Sequence, residues 1–305
     1  MALDAFALIF AMLALGMVFA RFEALPANAA ETLNRVVLYL CLPAAVLTYV
    51  PRLHMNATLA GLALTPWLLM GATLLLAWLA ARWLKFSRET FAVVVICVGF
   101  GNTSFVGYPM VRALLGDGAL PYAVVHDQFG TFMMLSTLGL YLLARFSGGT
   151  PPTTAQVLAR MGRFPPLWAL IAAVLVMPEN PPHWIGGALK SVADTMLPLV
   201  MLSVGLSIRL RLRAEERVPL ALGLVLKLLV LPALAIPLSM AFGLHGPMFQ
   251  VNVLESAMPT MITAAALAIS HQLAPRLAAA LVGYSIVIAL ATLPAWTWVA
   301  ARLAG

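Results

Sequence analysis

The sequence predicts an all-α polytopic membrane protein, ten transmembrane helices built as two inverted five-helix repeats. Three observations carry that prediction. The 305 residues are 63% hydrophobic and 10% charged, against roughly 25% charged in soluble domains. Apolar segments about long enough to cross a bilayer recur along the whole chain. Two of these segments are interrupted in the middle by polar and helix-breaking residues, at corresponding places in the two halves.

The ten spans fall at roughly 3–20, 33–50, 59–81, 90–112, 120–143, 165–178, 188–208, 218–242, 248–270 and 277–301. The N-terminus runs directly into the first span, without the basic region of a cleavable signal. The sixth span is short and opens on Pro165 and Pro166, which suit a first helical turn. Gly148-Gly149-Thr150-Pro151-Pro152-Thr153-Thr154 reads as a short linker. Repeat one is therefore 1–145, the linker 146–163 and repeat two 164–305, all within a single membrane unit. No stretch is long and polar enough for a separate soluble domain.

The stretch that departs most from a plain span is Val98-Gly99-Phe100-Gly101-Asn102-Thr103-Ser104-Phe105-Val106-Gly107-Tyr108-Pro109. Glycine and proline loosen the helical ladder, and each backbone group freed in lipid costs several kcal/mol unless protein or water satisfies it. Such a break is tolerated where it is buried in protein or lines a cavity. The competing reading is close helix packing through small residues, with hydroxyls bonded onto their own turn. The ninth span carries a second break, Ala257-Met258-Pro259-Thr260. Leu40-Cys41-Leu42-Pro43 in the second span is likewise matched by Thr195-Met196-Leu197-Pro198 in the seventh. Both offsets are about 155–160 residues, and an odd number of spans per half makes the second half enter from the opposite side.

Orientation follows from Lys and Arg. Arg21, Arg35, Arg82, Lys85, Arg88, Arg145, Arg160, Arg163, Arg209, Arg211, Arg213, Arg217 and Arg276 would share one face; Arg52, Arg112, Lys190 and Arg302 the other. The first face is then cytoplasmic, both termini lie outside the cytoplasm, and the cell inner membrane is the expected location. The formal charge of +7 is explained by these loops, so no nucleic-acid partner is implied. Cys41 and Cys97 read as small core residues. His54, His126, His183, His245 and His271 lack ligand spacing, so no metal site is expected. The sequons at Asn56 and Asn102 are disregarded.

Asn102-Thr103-Ser104-Phe105-Val106-Gly107-Tyr108-Pro109, with Ala257-Met258-Pro259, resembles the auxin efflux carrier family. That family includes plant auxin carriers and bacterial carriers linked to malonate and malate. The resemblance covers the whole chain and implies a bile-acid-transporter-like fold with elevator-type alternating access. Spans 1, 2, 6 and 7 would form a scaffold, and spans 3–5 and 8–10 a transport domain with the fourth and ninth helices crossed. Asn102 and Pro259 match the family's crossover positions. Gly101 stands where the plant pattern has proline, which predicts a softer break in the fourth span.

The chemistry of such a crossover favours an anion. Helices restarting near Thr103 and Thr260 aim positive ends at the membrane midplane and attract a carboxylate. Gly101, Asn102, Thr103, Ser104, Pro259, Thr260 and Thr263 are the candidate substrate-binding residues; intrahelical bonding of the hydroxyls is the alternative for each. Asp127, Asp194, Lys227 and Glu255 are ionisable residues within or near spans, where such charges either pair or function. Asp127 or Glu255 would carry a proton, or else pair with Lys227 as structural glue; Lys227 would otherwise snorkel, and Asp194 sits near an interface. The expected function is secondary active or facilitative transport of small organic anions, mono- or dicarboxylates or auxin-like acids. Coupling to H+ or Na+ is left open, no cofactor is implied, and a homodimer through the scaffold is compatible with this arrangement. The rival readings are a non-transporting sensor on the same fold and an intramembrane enzyme, which would need paired aspartates or a Ser/His pair.

Overall fold

The computed structural model describes residues 2–53, 57–150, 152–208 and 213–304. His54, Asn56, Pro151 and the Arg209–Leu212 part of the basic run lie outside the described residues. The helices in chain order are α1 (Ala2–Arg21), α2 (Ala29–Arg52), α3 (Leu59–Leu84), α4 (Arg88–Gly99), α5 (103–115), α6 (Asp117–Ser147) and α7 (Thr154–Gly162). They continue as α8 (Pro165–Leu175), α9 (His183–Ser207), α10 (Ala214–Ala241), α11 (Gly246–Ser256), α12 (Ile262–Ser270) and α13 (Pro275–Leu303). No strand occurs among the described residues. Of these helices α2, α3, α6, α9, α10 and α13 are long and apolar enough to cross a membrane, and Ala7–Arg21 and Pro165–Leu175 are shorter apolar helices. The predicted fourth and ninth spans are each split, into α4 with α5 and into α11 with α12.

Local chemistry explains where the helices start, bend and stop. Ser87 caps α4 by accepting the Thr90 N–H at 3.2 Å, and Glu89 lies in the first turn, where the helix dipole favours an acid. α3 ends at Lys85, which adopts a left-handed conformation (φ 53°). Wider π-helical turns occur at Val37–Cys41, Thr103–Gly107 and Leu226–Val230. Each ends two residues before a proline, respectively Pro43, Pro109 and Pro232. A proline removes one ladder bond and its ring clashes with the carbonyl four residues back; the extra residue in the preceding turn relieves the clash. The carbonyl so affected before Pro232 belongs to Leu228, and the Trp296 indole N–H donates to it at 2.8 Å. The π-helical turns His126–Phe132 and Leu135–Gly139 in α6 have no following proline to explain them.

The chain separates into two compact units. The first comprises 1–55, 104–124 and 160–208. Within it α1 lies against the second half of α9 through glycines: a Cβ added at Gly16 would stand 2.8 Å from the Gly205 Cα, and one added at Gly205 would stand 2.9 Å from the Gly16 Cα. The Ser203 hydroxyl of α9 bonds to α2 through Asn34 Oδ1 at 2.8 Å and the Ala30 carbonyl at 3.0 Å. Cys41 Sγ lies 3.4 Å from Thr195 Oγ1, and both cysteines are free and buried, as expected.

The second unit comprises 56–103, 125–159 and 209–305. α4 runs through its centre, and Ala92 through Val98 have no exposure at all. A helix apolar on every side must be enclosed, and α3, α10, α12 and α13 pack around this one. Asn252 of α11 ties its helix to α3 and α10 by donating to Thr65 Oγ1 at 3.0 Å and Ser239 Oγ at 2.9 Å.

Candidate functional site

Between α4 and α5 the chain is extended. Phe100 has φ −102° and ψ 109°, and Gly101 pairs antiparallel with Thr260 in the gap between α11 and α12. The Asn102 N–H donates to the Pro259 carbonyl at 2.8 Å, and the Met261 N–H to the Phe100 carbonyl at 2.9 Å. Each break thus satisfies backbone groups the other exposes. This offsets the cost of opening two helices in an apolar interior. The exchange of hydrogen bonds holds Phe100–Asn102 extended without a proline.

Thr260 is committed to this scaffold. Its hydroxyl donates to the Cys97 carbonyl at 2.8 Å, near the end of α4, and its N–H donates to Ser285 Oγ at 3.1 Å. Pro259 has no N–H to place. Thr103 donates to Asp127 Oδ1 at 2.5 Å, and Gln128 Nε2 donates to Asp127 Oδ2 at 2.9 Å. Asp127, fully buried in the first π-helical turn of α6, is therefore clasped by two donors. Ser104 is buried in the first turn of α5, and Thr263 is exposed on α12.

The remaining polar groups are not clasped. Asn102 is fully buried, and neither its Oδ1 nor its Nδ2 has a hydrogen-bond partner. Glu255, 1% exposed in the last turn of α11, has both carboxyl oxygens unpartnered. His126, 2% exposed, has both ring nitrogens unpartnered. Lys227 is 3% exposed, so it does not snorkel to an interface. Its Nζ lies 3.0 Å, and the Glu255 carbonyl oxygen 3.6 Å, from the point a Cβ on Gly101 would occupy. No ion pair among the described residues includes Lys227 or Glu255. The structure therefore brings Gly101, Asn102, Thr103, Asp127, Lys227, Glu255, Pro259 and Thr260 together in the second unit. Thr263 does not join them.

The first unit holds a separate cavity of about 910 Å³, lined by Tyr49, Tyr108, Arg112, Asp117, Asp194 and apolar side chains. Arg112 pairs with Asp117 at 2.7 Å and also with Asp194, while Lys190 bridges the same two aspartates at 3.4 and 3.5 Å. All four side chains are partly exposed, so the cluster positions α5 against α9 more than it stabilises. Asp194 belongs to this partly exposed network.

The chain matches the family model described as membrane transport protein over residues 1–297. It belongs to that family. This is the auxin efflux carrier family that its crossover motifs resemble. A family relative in Methanothermobacter thermautotrophicus, named an uncharacterized transporter, is 31% identical over 88% of each chain. Another, the uncharacterized transporter MJ1031 of Methanocaldococcus jannaschii, is 24% identical over 88% of this chain and 89% of its own. The uncharacterized transporter YfdV of Escherichia coli is 24% identical over 95% of both. Membership makes this a membrane transport protein with several apolar helices, in keeping with a multi-pass arrangement.

Sequence reasoning misses two parts of the family member's site. Asn252, one turn before Glu255, is readable as an amide in an apolar segment, which in membranes marks interhelical bonding. Ser285 offers no such signal, since a lone serine in a span is common. His126, which flanks Asp127, reads from the sequence as part of a tightly packed face away from lipid, and it is buried there.

Proposed function

We propose that this protein is a secondary active or facilitative transporter of small organic anions, mono- or dicarboxylates or auxin-like acids, with the anion bound at the crossover of the split helices. One observation carries the reading: at the crossover a fully buried amide, Asn102, has both polar atoms unpartnered, and the buried Lys227 side chain reaches the neighbouring Gly101. A buried unsatisfied amide costs about 1–3 kcal/mol, and a buried cation that joins no direct ion pair costs several more. A carboxylate seated there would satisfy both. The positive ends of α5 and α12 add to the attraction.

The transport mechanism we propose is elevator-type alternating access. Two short apolar helices, α1 and α8, and the two split segments are taken to cross the membrane in addition to the six long helices. This gives ten spans in two inverted repeats, with both termini outside the cytoplasm in the inner membrane. The scaffold would be spans 1, 2, 6 and 7, also the face for a homodimer, and the transport domain spans 3–5 and 8–10. Malonate and malate are the first substrates to try.

The test is binding by calorimetry to purified protein, using malate, malonate and indole-3-acetate. Asn102→Ala removes hydrogen bonds to a charged ligand worth about 1.5–3 kcal/mol, and affinity should fall roughly ten- to hundredfold. Unchanged affinity in a monodisperse variant would place the anion elsewhere.

A further inference from the structure

We infer that Glu255 is where this transporter takes up a proton together with its anion, so that its carboxyl group is neutral whenever the crossover is loaded. The inference rests on the proposed anion site and adds the coupling ion to it. Besides His126, three buried ionisable side chains surround the crossover: Asp127, Lys227 and Glu255. With all three charged the cluster carries one net negative charge, and an entering carboxylate would double it. In a desolvated site that repulsion is large. One proton on one of the two acids removes it.

Geometry selects which acid. Asp127 accepts hydrogen bonds from Thr103 and Gln128, the arrangement that stabilises an ionised carboxylate. Glu255 accepts none, and both of its oxygens are buried. It also lies in the last turn of α11, where the negative end of the helix dipole opposes a carboxylate. A neutral acid at this position needs fewer partners and meets no such opposition.

The other groups facing the cluster do not compete. The charged groups that act on Glu255 are Asp127 on α6 and Lys227 on α10. Of the helices packed against α11, α3 carries only Arg82 near its end, the Leu231–Ala241 half of α10 has no titratable residue, and α13 carries Arg276, Tyr284 and Arg302. His126 is acted on by Lys227, so a proton on its ring would set two cations together. A metal cation meets the same objection, because the Lys227 ammonium already stands against Gly101. The proton enters from the side that supplies the anion, is held on a Glu255 oxygen, and leaves with the anion on the other side. A monocarboxylate then crosses with no net charge.

Two measurements decide this. Infrared difference spectra of the purified protein, titrated from alkaline to acidic pH without any ligand, should show the carbonyl stretch of a buried neutral carboxylic acid. The band should persist in Asp127→Asn, shift in Glu255→Asp and vanish in Glu255→Gln. In proteoliposomes, an inwardly directed proton gradient should accelerate malate uptake by the wild type severalfold and leave Glu255→Gln uptake unresponsive. A band absent from the wild type, or surviving in Glu255→Gln, overturns the inference, as does gradient-driven uptake by that variant. A band that behaves as expected in a protein that neither binds nor moves malate, malonate or indole-3-acetate counts against the anion reading and leaves the protonation of Glu255 established.

Discussion

The hydroxyl of Thr260 donates to the carbonyl of Cys97 at 2.8 Å, so the second helix break closes the end of the helix that leads into the first. The two breaks are one structural object, held by reciprocal backbone bonds and by this side chain. Thr260 therefore serves the crossover's shape. Thr260→Val would leave the buried Cys97 carbonyl unsatisfied at a cost of about 1–3 kcal/mol. The expected result is a lower melting temperature in detergent, largely restored in Thr260→Ser. A variant that melts like wild type but no longer binds anion would instead put this hydroxyl on the substrate.

Lys227 should separate stability from binding in the opposite sense. Its side chain is buried and joins no ion pair among the described residues. Asp127 keeps its donors Thr103 and Gln128, and Glu255 is neutral in the proposed loaded state, so replacing the lysine with an apolar chain of similar length removes a desolvation cost. Lys227→Met is expected to melt at or above the wild-type temperature. Anion affinity should fall at least about tenfold, roughly 1.4 kcal/mol. Loss of stability together with unchanged affinity would mark the lysine as structural.

Gly16 and Gly205 bring the backbones of α1 and α9 into direct contact. A side chain at either position meets main chain rather than a movable side-chain end. Overpacking of this kind costs about 1–3 kcal/mol. Gly205→Val should therefore destabilise the purified protein measurably, whereas Gly71→Ala, which would meet nothing within 4 Å, should not.

Orientation can be read chemically because both native cysteines are buried. A membrane-impermeant maleimide should label Arg52→Cys on intact cells, and Arg145→Cys only after permeabilisation. Labelling of both from the same side would contradict the odd number of crossings between them that the inverted repeats require.

The segments that became helices were legible from composition and length, because in lipid every backbone group must be satisfied within its own segment. The positions of both breaks were legible too, since glycine, proline and asparagine together in mid-span weaken the helical ladder where lipid cannot replace it. So were the buried acids and the lysine, as charges placed where charge is expensive. The sequence alone did not reveal which of these groups satisfy one another. Thr260 carries the same hydroxyl as Thr103, yet one braces Cys97 and the other clasps Asp127. Asp127 and Glu255 are both buried acids, and only tertiary packing gave donors to the first and none to the second. Local propensity and hydropathy act along the chain and fix where it must be helical or broken. The backbone pairs of the crossover join Asn102 to Pro259 and Met261 to Phe100, residues from opposite halves of the chain. Their pairing is decided only when the two breaks are brought into register.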